Sequence, residues 1–381
     1  MSYVNLPILS RGRTMRDGFA FPDEVFLARD RAVRKIAENL GLEGIIVFGG
    51  ILSRGLVCYL NNHFNAFSYG SNMWIVPKAG ESVMLVTGGE RDIPTFKRTL
   101  PEFVKVIPIG LNLLANDHIG VQTVKYLKDN DLFKGKWGTV NGASIPYTAY
   151  QALIADGLPL EDITESFEDI KAIKDSNELY PISLASVMAQ RAVYDFIRQA
   201  SPGVSPIELA AHIDRGLRMN GVEHPSILIS RGEETAFTVV EDTPLVEGEM
   251  ISIFADIQFL HYHGAFATTA VVGGGNIKQN NLIQSAKLLL DKTLEDIASS
   301  RQVYIGYKGI DDSGSYVMVN SIGIDLVDAP IWEGKVCSLK PNMTLNVSVN
   351  LNDLSTGSAI NSRTVVISEG GLKVLNDFGP Q

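Results

Sequence analysis

The periodic pattern along the chain begins with EVFLARDRAVRKIAENLGL (24–42). Apolar residues recur there at helical spacing with charges between them, and Gly41 closes the run. EGIIVFGG (43–50) then reads as a short buried strand with a glycine stop. SNMWIVPKAG and SVMLVTGG predict two more strands, joined by a Pro- and Gly-bearing turn, and FVKVIPIG predicts another. GKWGTVNG opens a further strand after residue 135. Helices alternating with such strands predict an α/β domain over residues 1–163.

A second unit, 164–381, carries a different pattern. Residues 166–200 show long helical periodicity, with Ser176 and Glu178 suited to a helix start and Ser201-Pro-Gly to its end. Residues 202–222 repeat the plan, with Ser205 and Glu208 spaced as a capping box and Gly221 as a stop. Beyond residue 226 the chain turns β-rich: ILIS, EMISIFADIQF, ATTAVVGG, MTLNVSVNL and SRTVVISEG. One helix, NNLIQSAKLLLDKTLEDIASS, intervenes. Helices followed by a largely antiparallel sheet make an α+β plan. No repeat or low-complexity segment appears.

Composition narrows the partners. The 381 residues are 45% apolar and 20% charged, enough for two cores, and the net charge is −10. An acidic balance argues against nucleic acid and anionic membrane surfaces, which call for clustered Lys and Arg. No window approaches the ~18 uninterrupted apolar residues of a membrane span, and the first residues lack a signal-like apolar run, so a cytoplasmic chain is expected. Cys58 and Cys337 both lie in apolar runs, which predicts buried free thiols.

The most conspicuous chemistry is His261-Tyr262-His263. Read as strand, the two histidines point the same way, and either could serve as a base near neutral pH. Asp256, on the preceding strand, could orient one of them. Asn346, Ser348 and Asn350 share one strand face by the period of two. Neutral donors and acceptors of this kind suit an uncharged or dipolar ligand.

Six phrases in the second unit, in order, resemble the creatinase/aminopeptidase P/methionine aminopeptidase family, the pita-bread fold. They are AIKDSNEL, ASPGVSPIELAAHIDRGLRMNG, LVEGEMISI, SIGIDLVDAP, LKPNMTLNVSVN and SRTVVISEGGLKVL. The resemblance implies a pita-bread C-terminal domain preceded by a creatinase-type N-terminal domain. In the peptidase branch two Asp, one His and two Glu hold a dinuclear metal centre. Carried onto this chain, the first Asp position falls at Phe254 and the second at Ala265 or Ala267. The His position falls at Asn320, the first Glu at Ser348 and the second at Asn361 or Ser362. Divalent ions need carboxylates, so the resemblance implies no metal and no other cofactor here.

Creatinase, the metal-free relative, places a Glu at Ala267 and an Arg at Thr268, so creatine hydrolysis is not expected. The resemblance implies further substrate-binding candidates. Arg231, with Glu233 and Glu234, lies where the family has a loop at the cavity mouth. Asn320, Ser362 and Arg363 lie in ligand segments. Phe67, Tyr69, Ser71 and Asn72 lie where creatinase reaches a partner's site. The expectation is a metal-independent hydrolase or lyase cleaving a non-peptide C–N or C–C bond of a small metabolite, with a His base. The chain is expected to form a homodimer. The alternative is a catalytically inert binding module.

Overall fold

The computed structural model describes residues 21–50, 54–62, 71–87, 100–109, 118–234, 236–329 and 334–376, together with the backbone pairing of β1 (Leu6–Ile8) with β2 (Arg13–Met15). Phe67 and Tyr69 lie outside the described residues. The chain divides into two compact units, one of Gly18–Ile170 and one of Met1–Asp17 with Lys171–Gln381.

The first unit is built on a mixed sheet. Its strands are β3 (Gly44–Gly49), β4 (Asn72–Pro77), β5 (Val83–Val86), β6 (Lys105–Pro108), β7 (Trp137–Val140) and β8 (Leu160–Asp162), in the order β6-β5-β4-β3-β7-β8. β3, β4, β5 and β7 are buried throughout, as expected of short apolar runs covered on both faces. Cys58 is a buried free thiol. Asn72 sits at the start of β4 opposite Gly49 and Val86, and only 1% of it is exposed. It is packed so tightly that a Cβ on Gly49 would lie 2.3 Å from its Oδ1.

The second unit begins with two helices, Ser176–Gln199 and Pro206–Met219. The first is capped one residue earlier than the sequence pattern suggested. Asp175 accepts from the Asn177 and Glu178 amides, and the Glu178 side chain closes the box on the Asp175 amide. The box expected at Ser205 does not form; Ser205 precedes Pro206 and its hydroxyl makes no capping bond.

Strands β9 (His224–Arg231), β10 (Thr238–Val239), β11 (Met250–Phe259), β12 (Tyr262–Val271), β13 (Gln302–Gly309), β14 (Tyr316–Ser321), β15 (Lys335–Ser338), β16 (Thr344–Asp353), β17 (Gly357–Ser368) and β18 (Gly371–Val374) form one antiparallel sheet. Its order is β10-β9-β11-β12-β17-β16-β14-β13-β15, with β18 beside β17. The helix Ser176–Gln199 covers β11 and β12, and the helix Ile277–Ser300 covers β16 and β17.

Period-two alternation sorts the side chains. Ile251, Ile253, Ala255, Ile257 and Phe259 meet Ala185, Ala189, Val193 and Phe196 of the first helix. Leu345, Val347, Val349, Val365 and Ile367 meet Leu290 and Ile297 of the Ile277–Ser300 helix. Gly264 marks the closest approach, since a Cβ there would lie 2.1 Å from the backbone nitrogen of Ser186. The opposite face of the sheet carries the polar residues.

Candidate functional site

The strand registers lay that polar face out as a grid. One row runs Asp256, Ala265, Thr364, Asn346, Asn320 across β11, β12, β17, β16 and β14. The next runs Phe254, Ala267, Ser362, Ser348, Met318. A third runs Ser252, Thr269, Ile360, Asn350, Tyr316. His263 follows Ala265 on β12, beyond the first row and opposite Gln258. The middle of the grid is therefore a floor of small side chains: Ala265, Ala267, Ser362 and Ser348. An imidazole–carboxylate pair stands on one side and an Asn-rich strip on the other.

The two halves of the sheet meet at β12 and β17, where the only backbone register is Thr268 opposite Asn361. Side-chain hydroxyls close the rest of this seam. Ser362 Oγ accepts from the Ala267 amide at 2.7 Å, and Thr364 Oγ1 donates to the Ala265 carbonyl at 2.9 Å. Thr269 Oγ1 accepts from the Ile360 amide at 2.8 Å and shares a 2.6 Å bond with Ser252. Buried backbone groups need partners, and these bonds supply them.

His263 is an imidazole of this face that meets a carboxylate; His224, opposite Gln258 on β9, lies in the same row. Its Nδ1 lies 2.9 and 3.1 Å from the two Asp256 oxygens, and its own amide donates to the Gly323 carbonyl at 2.7 Å. Burial by itself lowers its pKa. The charge and hydrogen bond of Asp256, with help from Asp325 and Asp328, outweigh burial and raise it above the ordinary 6.5. The shift favours the imidazolium form, and with Nδ1 turned to Asp256 it is Nε2 that is left to meet a ligand.

The Gly323 carbonyl belongs to a loop fixed by buried charge. Asp328 is fully buried and bridges Lys171 Nζ and Lys174 Nζ, each at 2.7 Å. It also accepts the Ile324 amide at 3.2 Å. Burial opposes its ionisation, but the two ammonium groups hold its carboxyl well below the usual carboxylate range. Asn320 ties the same loop down, donating to the Ser321 and Leu326 carbonyls at 3.0 and 2.8 Å.

Several expectations need correction. His261 does not share a strand face with His263. Leu260 and His261 form the two-residue turn between β11 and β12, both with positive φ (49° and 71°), and the His261 amide donates to Glu223 at 2.9 Å. Arg231 is engaged by protein groups rather than left open for an anion. Its guanidinium spans Glu249 at 2.6 and 2.9 Å, Glu241 at 3.2 Å, and the Thr243 and Pro244 carbonyls. Arg363 lies opposite Val347, on the helix-packed face, with its guanidinium 5.3 Å from the Phe266 ring centroid. Asn361 shares that face.

The family's ligand positions are now specific. Ser348 and Ser362 are direct cross-strand partners, so Ser362 rather than Asn361 occupies the last one on the polar face. Phe254, at the first, packs against Phe237 with ring centroids 5.5 Å apart. Among the described residues no three His, Cys, Asp or Glu side chains gather into a group that could hold a metal. Asp256 and His263 are a pair on the polar face, with His224 further along on β9, and none of Phe254, Ala265, Ala267, Ser348 and Ser362 supplies a carboxylate. The residues present do not fit a dinuclear metal centre.

Residues 182–369 match the model of metallopeptidase family M24. The Xaa-Pro dipeptidase of Pyrococcus furiosus is 23% identical over 287 residues, 69% of this chain and 81% of that protein. The solved prolidase of Pyrococcus horikoshii OT3 superposes with a TM-score of 0.72 at 16% identity, covering 93% of this chain and 99% of its own. The recombinant prolidase of Thermococcus sibiricus does so with a TM-score of 0.75 at 16% identity, covering 93% and 98%. At these identities the structural likenesses speak for the fold.

They also correct the functional expectation. The relatives are named as dipeptidases and the family as metallopeptidases. That overturns a metal-independent enzyme acting on a non-peptide bond, and equally an inert binding module. These relatives lend no support to a particular closeness to creatinase. Family model, sheet order and helix placement agree: residues 182–369 match metallopeptidase family M24, and the fold is that of its pita-bread members.

Proposed function

We propose that this chain is a hydrolase of short peptides of the Xaa-Pro class, with the polar face of the second unit as its substrate site. The observation that carries the reading is the His263–Asp256 pair beside a floor of small side chains, on a chain whose matched relatives bear the name Xaa-Pro dipeptidase. Asp256 fixes the ring through Nδ1. Nε2–H then faces the substrate: water adds to the scissile carbonyl carbon, the C–N bond breaks, the Nε2 proton passes to the departing amine, and the proton shed by the water restores the ring. Asp256 does not touch the substrate in this scheme; it positions the ring. Because the side chains do not fit the family's metal centre, no step is assigned to a metal.

The test is turnover of Xaa-Pro dipeptides by the purified full chain, assayed both with and without added divalent metal. Wild-type protein should release free proline, and His263→Gln should lower kcat by about 10²–10⁴-fold, the usual size of general acid–base catalysis. Asp256→Asn should move the pH profile as well as the rate. Failure to cleave in every metal condition, or full activity in His263→Gln, overturns the reading. A homodimer in the cytoplasm belongs to the same proposal. Light scattering on a sizing column tests the former. Among the described residues no helix is long and apolar enough to cross a membrane.

A further inference from the structure

The Asn-rich strip on β16 contains two polar atoms whose bonding the fold leaves incomplete. Asn350 is 1% exposed; its Oδ1 accepts from Ser358 Oγ at 2.7 Å, which turns Nδ2 away from that bond, and Nδ2 has no partner. Asn346 is 2% exposed; its Nδ2 faces Ser348 Oγ at 3.5 Å, and its Oδ1 has no partner. Buried amide atoms of this kind are rare because each forfeits its bond to water. Elsewhere on the face hydroxyls are consumed in closing the β12–β17 seam, whereas β16 gathers these two orphans and a third, Asn352 Oδ1, toward its end. Local rules broken without structural compensation point to a ligand.

We propose that this strip reads the backbone of a peptide longer than a dipeptide, accepting one N–H at Asn346 Oδ1 and donating to one carbonyl from Asn350 Nδ2. The inference rests on the peptide-hydrolase reading and adds the length and polarity of what is bound. An orphan acceptor and an orphan donor match the two halves of peptide groups. No charged side chain belongs to the strip, so the portion it contacts is uncharged. The two residues are four apart on one strand, a separation of about 13 Å at ~3.3 Å per residue. One peptide group is too short to meet both. An extended ligand advances ~3.3–3.6 Å per residue, so three to four residues cover the strip. The floor of Ala265, Ala267, Ser348 and Ser362 joins the strip to His263.

The experiment is calorimetric binding of Ala-Pro and of Ala-Pro-Ala-Ala to the full chain. It is paired with turnover of both peptides in the presence and absence of divalent metal. The tetrapeptide should bind at least about tenfold tighter, a difference of about 1.4 kcal/mol. Asn346→Leu and Asn350→Leu should each erase most of that advantage. Asn346→Leu should fold with an unaltered or higher Tm, since it removes an unpaired buried group; Asn350→Leu also takes the acceptor from Ser358 Oγ and should lower Tm modestly. The wild-type length comparison decides even if a variant does not fold. Equal affinity for the two peptides, or a length advantage that survives both substitutions, overturns the inference and leaves dipeptide hydrolysis standing. Length-dependent binding without turnover in any metal condition overturns the hydrolase reading and leaves the strip standing. Binding of neither peptide overturns both.

Discussion

Asp328→Asn isolates the buried charge beneath the site. The substitution conserves volume, so no cavity forms, but two lysine ammonium groups lose the carboxylate they share at 2.7 Å. Lys171 and Lys174 are 2% and 1% exposed, and Asp325, a further carboxylate 3.5 Å from Lys171, is 42% exposed. Leaving a single buried charge unpaired costs about 3–5 kcal/mol, and here two are affected. The expected loss is therefore at least about 3 kcal/mol, a large part of the ~5–15 kcal/mol available to a folded domain. With an m-value of ~1–3 kcal/mol per molar urea, the midpoint should fall by at least about 1 M. Equilibrium urea unfolding at pH 7, followed by far-ultraviolet circular dichroism, measures it. Adding Lys174→Met should recover part of the loss, because it removes one of the stranded charges. A single mutant within about 0.5 kcal/mol of wild type, the range of an ordinary surface change, would refute the reasoning. The sign with pH follows the same pair. Asp328 has a depressed folded pKa, so its contribution is present above the unfolded value of 3.8 and is lost as pH falls through the folded one.

Three further outcomes follow from other contacts. His263 has a raised folded pKa, so its contribution is complete below pH 6.5 and lost as pH rises through the folded value; His263→Gln should flatten that limb in thermal melts taken across the pH range. Gly264→Ala drives a Cβ to 2.1 Å from the Ser186 backbone and should cost about 1–3 kcal/mol or more in urea unfolding, since backbone cannot give way as a flexible side chain would. Arg231→Met should cost about 1.5–3 kcal/mol of stability by stripping Glu249 of its charged partner, with peptide KM unchanged; a raised KM would return Arg231 to the substrate site.

Legibility divided along the range of each interaction. The alternation in TLNVSVNLND placed Asn346, Ser348 and Asn350 on one face, and that is the face they share, because a strand's period needs no distant information. The same rule misled at His261. It takes a turn with two positive φ values, and Leu260-His261 carries no Gly, Asn or Asp to announce one. Arg231 and Arg363 looked like anion receptors because a sequence shows the charge and not the partner. Glu249 lies 18 residues from Arg231, and register alone decides that Arg363 faces the helices.

By itself the sequence determined the elements, the order of six pita-bread phrases, and the loss of carboxylates at the ligand positions. These are properties of composition and short-range period. The tertiary structure decided what filled their place. It paired His263 with Asp256 across a hairpin, set Ser348 opposite Ser362, and brought Lys171 and Lys174 to Asp328 from more than 150 residues away. It also left Asn346 Oδ1 and Asn350 Nδ2 buried on one strand without hydrogen-bond partners. Each depends on strand register or on desolvation inside an assembled sheet, and neither exists until the chain has folded.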